Sequence, residues 1–546
     1  MSRASNRRPS RQERREAQRR ERKAGKAPGA PGRTDRWWFL GLTLLAWVHR
    51  LAFLRSNRDW SWPYTIFYEG DSETFYNYAR ALLDGRLYDN GIPFHPPGFA
   101  WVLAAVHTLV GAGSGAGHVP HFAVKAVLAL IGSLPIGLLY LLVKPYLGRA
   151  AALIASLLCA WHFGLYVISA APVSEGTYLT VLLLCLLLWS RCFEHPLTAP
   201  NAASGGWKAS LGLGLLLGFL ALVRAEAVLP AVLLAAVGLL PWLGDRRTVR
   251  LRPWILVALG WMLVVAPWTI RNAVRLSALD ASLAGRLAEP LPRFVPLTLY
   301  GPVNLALANN PKADGTFSRD FLSSRSRSAV LDLADPQHLQ FILHGDRMAW
   351  SWIRENPGDF GRLVLRKWRL FFSAWTLGWT QWDWPGGLNG VRRPVDVFTP
   401  DSGAAYGTAM PLALLGLLCC GATPGAPRRW AVLVLLLTAA GMITTGLFFG
   451  YVRQGLVLLP FWLTLTAAAL VWIGERILKR TSGFTLLPID PPRRLLQVLA
   501  AVVFVLLVLE ILGTTTNRNF QATGTTLPGQ SHLDRDQPVY LKVLPR

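Results

Sequence analysis

Two stretches near the start of the chain decide its fold: WWFLGLTLLAWVHRLAFL, residues 37–54, and EGDSE, residues 69–73. The first is an apolar run long enough for a helix that crosses a lipid bilayer. The second places Glu69, Asp71 and Glu73 shortly after that helix. Ionisable side chains beside a membrane helix are costly and mostly functional. We therefore expect chemistry at one face of a membrane.

Composition extends this interpretation to the whole chain. Of the 546 residues 52% are hydrophobic, and the mean hydropathy is +0.32. These values exclude an ordinary soluble enzyme and predict an all-α polytopic membrane protein. Apolar runs of sufficient length predict about eleven spans. They cover residues 37–54, 122–143, 150–170, 176–193, 208–223, 227–243, 254–270, 405–420, 430–449, 455–473 and 495–512.

Positive charge is concentrated at the N-terminus of a chain whose net charge is +25. Residues 1–36 are rich in Lys and Arg, and a basic segment directly before a first span is held in the cytoplasm. We therefore predict a disordered basic cytoplasmic tail that does not bind nucleic acid. The cysteines and histidines show no metal-ligand spacing, so the sequence predicts no metal and no other cofactor.

The charge of the loops predicts their side of the membrane. If the short apolar run 98–111 does not cross, the later Lys/Arg clusters all lie in the cytoplasm. If it crosses, most of them lie outside, and the sequence leaves this alternative open. The first arrangement brings the unusual charges to the outer face: Glu69, Asp71, Glu73, Glu175, Arg224, Glu226, Arg271 and Arg453. We favour it because that face then holds a single candidate site.

Five regions follow from this topology, together with helices that lie in the membrane interface. The regions are a cytoplasmic tail (1–36), a membrane module (37–270) with a first outer loop (55–121), an outer region (271–404), C-terminal spans (405–514) and an outer tail (515–546). Ser72–Asp84 has one apolar face and is expected to stop at Gly85. Asp71 could then simply cap this helix, which is an alternative to a catalytic role.

Two further interfacial helices are expected in the outer region. Asp335-Pro336 and Asn356-Pro357 each have the pattern of a helix start. The second predicted helix interleaves arginines with aromatic residues, a pattern suited to lipid headgroups. Membrane lipids are therefore predicted partners of this region.

Several short motifs, in a particular order, carry a resemblance to a known family. The first outer loop contains Asp71, Tyr76, Ala79, Gly85 and His95-Pro96-Pro97-Gly98, followed later by Glu175; Arg224-Ala-Glu226, the segment Pro267 to Asn272, and Arg453 with Pro460 come next. With these residues the chain resembles the C-type (GT-C) integral-membrane glycosyltransferases. Within that class it resembles the protein mannosyltransferase and aminoarabinose transferase branch, glycosyltransferase family 39-like. The similarity extends from about Trp37 to Trp472.

The resemblance implies a fold of about 11–13 membrane helices with interfacial helices in the first outer loop. It implies inverting transfer of a sugar from a polyprenyl-phosphate-linked donor to a lipid, glycan or protein acceptor. Asp71 corresponds to the family's catalytic base, with Glu69 and Glu73 as alternatives beside it, and Glu175 would orient a cation or the acceptor. Arg271, Arg453, Arg224 and His95 are the candidates for binding the donor phosphate.

The chain departs from the family pattern at His95, where members often have Lys or Glu before the paired prolines. Aminoarabinose specificity is therefore not carried over. Two other functions remain as alternatives: a transporter or flippase of lipid-linked sugars, and an enzyme like the O-antigen ligases or polymerases. A scaffold that performs no chemistry is a third. We expect the protein in a bacterial inner membrane, with its active site outside the cytoplasm.

Overall fold

The structure is a computed structural model that describes most of the predicted membrane region. The described residues are 32–56, 71–86, 88, 92–115, 119–194, 206–239, 251–317, 321, 331–332, 335–376, 404–450, 452–479 and 541–542. Four predicted features therefore lie outside the described residues: the basic tail before residue 32, Glu69, the span 495–512, and nearly all of the C-terminal tail.

The described chain is almost entirely helical, which confirms the predicted all-α membrane fold. In chain order the helices are α1 (Arg33–Ser56), α2 (Asp71–Leu83), α3 (Gly98–Leu109), α4 (His121–Ile131), α5 (Leu134–Trp161), α6 (Phe163–Ala170), α7 (Ser174–Trp189), α8 (Trp207–Val223), α9 (Val228–Leu239), α10 (Leu251–Ser282), α11 (Tyr300–Ala308), α12 (Pro336–Glu355), α13 (Pro357–Thr376), α14 (Ala404–Ala422), α15 (Ala426–Leu447) and α16 (Val452–Lys479). A short parallel pairing joins β1 (Leu331–Asp332) to β2 (Leu541–Lys542).

Five described segments are long and apolar enough to cross a membrane: His121–Trp161, Ser174–Phe193, Leu251–Ser282, Ala426–Leu447 and Arg453–Arg476. Shorter apolar helices accompany them: Gly98–Leu109, Trp207–Val223, Ala225–Ala235 and Leu412–Ala422. The first long segment contains the predicted span 122–143 and the first part of the predicted span 150–170. Gly148 separates them, since its φ of 81° and ψ of 171° are not helical and favour glycine.

Glycines bring neighbouring helices of the bundle into close contact. A Cβ atom added to Gly214 of α8 would collide with the carbonyl oxygen of Val257 in α10, and one added to Gly260 would collide with that of Leu211. Small residues are the usual way in which membrane helices approach closely. This contact aligns α8 with α10, the two helices whose later residues carry Arg224 and Arg271.

One end of the bundle gathers charges that the sequence assigned to the cytoplasmic side. Asp35 in the first turn of α1 accepts hydrogen bonds from Lys144 Nζ at 2.5 Å and from the Tyr140 hydroxyl at 2.9 Å. The guanidinium of Arg149 lies 5.3 Å from the ring centre of Trp38. The start of α1 and the segment around Gly148 therefore share one end of the bundle.

The helices α2 and α3 form a layer beyond the other end. The rings of Phe75 and Phe99 are 4.9 Å apart, and Tyr76 lies 5.5 Å from His107, so the two helices run side by side. Gly85 follows α2 with a φ of 69°, as predicted for its stop. A helix of the length of α3 extends about 18 Å, whereas the hydrocarbon is about 30 Å thick.

A second hydrophobic core lies under the outer helices α11 and α12. Its buried members include Ile92, Phe94, Leu276, Val303, Leu339 and Ile342. The helix α10 reaches this core because it continues to Ser282, whereas the sequence predicted a span that ends at Ile270. Buried Asn272 ties the extension to the following loop, donating to the carbonyl oxygen of Val295 at 3.0 Å. Asp335 caps α12 by accepting from Gln337 N, as its sequence pattern predicts.

Candidate active site

Glu175 lies at the centre of the first group of predicted site residues. It is in the first turn of α7, and its side chain is 1% exposed. Arg224, which ends α8, donates from Nη1 to Glu175 Oε1 at 2.7 Å and to the Ser174 hydroxyl at 3.0 Å. The Nε atom of Arg224 donates to Glu226 Oε1 at 2.7 Å. The guanidinium of Arg224 therefore binds two carboxylates, those of Glu175 and Glu226.

Arg453, in the first turn of α16, completes this group. Its Nε atom lies 3.3 Å from Glu175 Oε1, so both arginines meet at the same oxygen. We call Glu175, Arg224, Glu226 and Arg453 the carboxylate cluster. Its formal charges cancel, which lets the charged groups be buried together. Within the described chain, Glu175 Oε2 is buried and accepts no hydrogen bond.

The carboxylates also decide the charge state of Arg224. Burial by itself would lower its pKa, but the adjacent Glu226 and Glu175 outweigh this effect and raise the pKa above its usual value. The guanidinium is therefore fully charged, and its hydrogen bonds to the two carboxylates are charge-assisted. Arg224 is therefore held by Glu175 and Glu226 together.

A second group surrounds His95. The Tyr78 hydroxyl and His95 Nδ1 share a hydrogen bond of 2.7 Å. Tyr88 donates from its hydroxyl to the carbonyl oxygens of His95, at 3.2 Å, and Pro96, at 3.1 Å. The rings of Tyr78 and Tyr88 are 4.6 Å apart. The backbone at the paired prolines is thus held by one tyrosine and the imidazole by the other.

Arg271 joins the same group from α10. Its guanidinium carbon lies 4.6 Å from the ring centre of Trp268 and 6.0 Å from that of Tyr88. Its Nη2 atom also donates to the carbonyl oxygen of Tyr88 at 3.3 Å. We call Tyr78, Tyr88, His95, Trp268 and Arg271 the aromatic cluster. Tyr88 contacts both of the predicted phosphate ligands in it.

The two clusters are neighbours because of Gly98. A Cβ atom on this residue would lie 2.7 Å from the backbone of Leu222 and Val223, directly before Arg224. Only glycine permits this approach between α3 and the end of α8, which explains its place after the paired prolines. This backbone contact places the segment that follows His95 against the end of α8, directly before Arg224.

The helix α2, which begins at Asp71, lies beside the aromatic cluster. Asp71 is one helical turn before Phe75. The ring of Phe75 lies 6.3 Å from that of His95. The start of α2 therefore adjoins the aromatic cluster. The side chains of Asp71 and Glu73 lie outside the described part of the chain, as does all of Glu69.

The sequence did not identify Tyr78, Tyr88, Ser174 and Trp268 as site residues. Trp268 precedes Arg271 by three positions, so helical spacing would have placed it beside the arginine. Tyr88 carries no such signal, because its contacts join separate segments. The helix α10 continues past Arg271 to Ser282, beyond the apolar run 254–270 that the sequence indicated. Among the described residues no group of three His, Cys, Asp or Glu could hold a metal ion.

Comparison with solved structures finds membrane enzymes. The oligosaccharyltransferase of Archaeoglobus fulgidus, in its apo form, is 14% identical with a TM-score of 0.42, and the match covers 87% of this chain and 56% of that one. ArnT from Cupriavidus metallidurans, bound to undecaprenyl phosphate, is 17% identical with a TM-score of 0.36, covering 81% and 77%. The S. cerevisiae protein O-mannosyltransferase Pmt1-Pmt2 complex, bound to its sugar donor, is 15% identical with a TM-score of 0.34, covering 48% and 36%.

The chain therefore spans little more than half the length of the oligosaccharyltransferase that it matches. Comparison with curated protein sequences gives no match. A family described as dolichyl-phosphate-mannose-protein mannosyltransferase matches residues 94–270. This segment contains Glu175, Arg224 and Glu226 of the carboxylate cluster, and His95 and Trp268 of the aromatic cluster. The match covers less than half of the chain, and it confirms the resemblance that the sequence motifs predict: this segment is similar to the dolichyl-phosphate-mannose-protein mannosyltransferases.

Proposed function

We propose that this protein transfers a sugar from a polyprenyl-phosphate-linked donor to a lipid, glycan or protein acceptor, with inversion at the anomeric carbon. The observation that carries the proposal is the meeting of the two clusters at Gly98. Gly98 lies against the end of α8 that leads to Arg224, and α2 begins beside the aromatic cluster, which supports a shared site for these motif residues. Cations and carboxylates collected in this way suit the displacement of a phosphate by a hydroxyl.

The chemistry is a single displacement. The acceptor oxygen bonds to the anomeric carbon while the bond from that carbon to the phosphate oxygen breaks. Asp71 takes the proton of the acceptor hydroxyl, and the lipid phosphate leaves with the electron pair. Glu69 and Glu73 are the alternative bases. The acceptor approaches opposite the departing phosphate, so the configuration inverts.

Arg271 and His95 are the proposed ligands of the departing phosphate, with Arg453 at its other side. A guanidinium binds two phosphate oxygens at once, which suits Arg271 to this role. Arg224 is already bonded to two carboxylates, so its role is to hold Glu175 in place. Glu175 orients Arg453, and its second oxygen suits a hydroxyl of the acceptor or of the sugar.

We further propose that the site faces the outside of a bacterial inner membrane, with the N-terminus in the cytoplasm. The length of α3 and its position beside α2 support an arrangement in which residues 98–111 do not cross. Asp35, Lys144 and Arg149 then lie at the cytoplasmic end, in agreement with the positive-inside rule.

The test is transfer of radiolabel from a panel of polyprenyl-phosphate sugars by membranes that contain the full chain. Wild-type protein is compared with Asp71→Asn, with protein abundance and detergent-extracted monodispersity measured in parallel. We expect transfer by the wild type and a loss of about 10³-fold in the variant, since a positioned base contributes 10²–10⁴.

The matched control is Asp84→Asn, at the opposite end of α2. Asp84 pairs with Arg80 and Arg86, away from both clusters, so this variant should retain transfer. Transfer that survives in Asp71→Asn would move the base to Glu69 or Glu73. If no donor is used even by the wild type, the transferase proposal fails and a flippase assay in proteoliposomes becomes the next experiment.

A further inference from the structure

Lys367 is a buried cation outside both clusters. It lies in α13, and the residue is 0% exposed. Its Nζ atom donates to Asn309 Oδ1 at 2.9 Å and to the carbonyl oxygen of Gly446 at 3.2 Å. Asn309 follows α11, and Gly446 is near the end of α15. The ammonium group of Lys367 therefore joins α13 to the ends of α11 and α15.

The same position is tied to the segment that leads into α16. A Cβ atom on Gly450 would collide with the backbone of Lys367, so the two chains touch directly. Gly450 N donates to the carbonyl oxygen of Gly315 at 2.8 Å. Asn309 also donates from Nδ2 to the carbonyl oxygen of Leu447 at 2.7 Å. Residues 446–450 are thus held from several sides by Lys367 and its partners.

Residues 446–450 lead into α16 and so determine the position of Arg453. The helix α16 starts at Val452, and Arg453 in its first turn reaches Glu175. A displacement of residues 446–450 would move the start of α16 and change the approach of Arg453 to the carboxylate cluster. The residues at both ends of the path from residues 446–450 to Glu175 are buried. Phe449 belongs to the second hydrophobic core, and Glu175 is buried beside Arg224.

A buried lysine is an expensive way to fill space. Removing an ammonium group from water costs several kcal/mol unless hydrogen bonds compensate. Burial lowers the pKa of Lys367 to about 7. Met or Leu would pack at this site without that cost, so the polar contacts of Lys367 require another explanation than packing.

We propose that Lys367 is a positioning residue of the transferase, and that it acts by holding residues 446–450 so that Arg453 meets both Glu175 and the donor phosphate. The role of Arg453 toward the donor phosphate rests on the proposed function, whereas the positioning of residues 446–450 by Lys367 rests on the described contacts. It predicts that loss of the Lys367 side chain affects the enzyme through Arg453. Lys367 itself does not touch the substrate.

The kinetic test is a double-mutant cycle with Lys367→Met and Arg453→Met in the full-length protein. Lys367→Met should raise the donor KM about tenfold, the value of a lost hydrogen bond to a charged group. In the Arg453→Met background the same change should have almost no further effect, since the residue through which it acts is gone. Additive losses would overturn the proposal.

The matched control is Arg366→Met on the same helix. Arg366 is exposed and makes one long contact, from Nη1 to the carbonyl oxygen of Asp314 at 3.5 Å. The Arg366→Met substitution removes a positive charge from α13 without affecting a contact to residues 446–450, so the donor KM should stay within about twofold. An equal rise in this control would assign the effect to surface charge and contradict the positioning role.

A second measurement does not depend on sugar transfer. Hydrogen exchange of the amides of residues 446–456 should become faster in Lys367→Met and unchanged in Arg366→Met. If the wild type transfers no sugar, the proposed function fails while exchange still tests the positioning. If Lys367→Met does not fold, Gly450→Ala replaces it, because the added methyl group displaces the same segment. Unchanged exchange in the folded variant would overturn the proposal.

Discussion

The two clusters of the site hold their arginines in different ways. In the carboxylate cluster Glu175 and Glu226 face Arg224 and Arg453, with nitrogen–oxygen distances of 2.7–3.3 Å. In the aromatic cluster the contacts of Arg271 include the rings of Trp268 and Tyr88 and neutral oxygen atoms. The first cluster pairs arginines with its own carboxylates, whereas the second packs aromatic rings against its arginine.

This difference teaches how one site can both fix groups and bind an anion. Opposite charges that satisfy each other in a buried position make a rigid support, and removing one partner leaves an uncompensated charge. Aromatic faces stabilise a cation by a weaker, electrostatic contact that does not cancel its charge. Under the proposed function, the carboxylate cluster orients the reacting groups and the aromatic cluster attracts the phosphate.

The largest effect should follow from breaking the carboxylate cluster. Glu175→Gln leaves Arg224 and Arg453 with one carboxylate between them, and we expect a loss of about 3–5 kcal/mol in stability. Thermal unfolding in detergent, followed by intrinsic fluorescence, measures it. Asp359→Asn serves as the control, since its ion pair with Arg362 is exposed. An unchanged unfolding midpoint for Glu175→Gln would refute the assigned supporting role.

The next effect concerns the aromatic cluster and should appear in activity rather than stability. Arg271→Met keeps an apolar side chain against Trp268 but removes the positive charge. We expect kcat/KM for the donor to fall about 10²-fold, as when one electrostatic contact to a transition state is removed. The unfolding midpoint should change much less than in Glu175→Gln. The reverse order of the two effects would contradict the comparison.

The third prediction concerns Lys367, a buried cation that is not an arginine, and the dependence of stability on pH. Its pKa of about 7 lies below the value in the unfolded chain, so between pH 7 and 10 the unfolded state binds more protons. Stability should rise with pH in this window, by at most about 1.4 kcal/mol per pH unit from this group. The difference in unfolding midpoint between wild type and Lys367→Met measures it. A constant difference across the window would show that Lys367 is not buried as described.

The smallest effect should come from Tyr88, which contacts both His95 and Arg271 in the aromatic cluster. Tyr88→Phe removes the hydrogen bonds to the backbone of His95 and Pro96 and keeps the ring beside Arg271. We expect the donor KM to rise about fivefold, the value of about one hydrogen bond. Tyr140→Phe, whose hydroxyl bonds to Asp35 at the other end of the bundle, is the control. Equal effects of the two changes would remove Tyr88 from the site.

Local patterns in the sequence predicted much of the fold. Apolar runs predicted most of the long helices, Asp335-Pro336 predicted the start of α12, and Gly85 predicted the stop of α2. These predictions succeed because length, capping and φ preference are properties of neighbouring residues. The end of α10 was missed because apolar content falls after Ile270 while the helix continues against the outer core.

The sequence also indicated which charges are candidates for a site, since ionisable residues are rare in so apolar a chain and costly within a membrane. Only the tertiary structure decided how they pair. Glu175 and Arg224 are far apart in the chain, and their contact depends on the close approach of α3, α7 and α8. Tyr88 showed no pattern, and Lys367 was predicted only as part of a basic, aromatic surface helix, whereas the structure buries it among distant segments. Burial and pairing are properties of packing, and a linear pattern does not contain them.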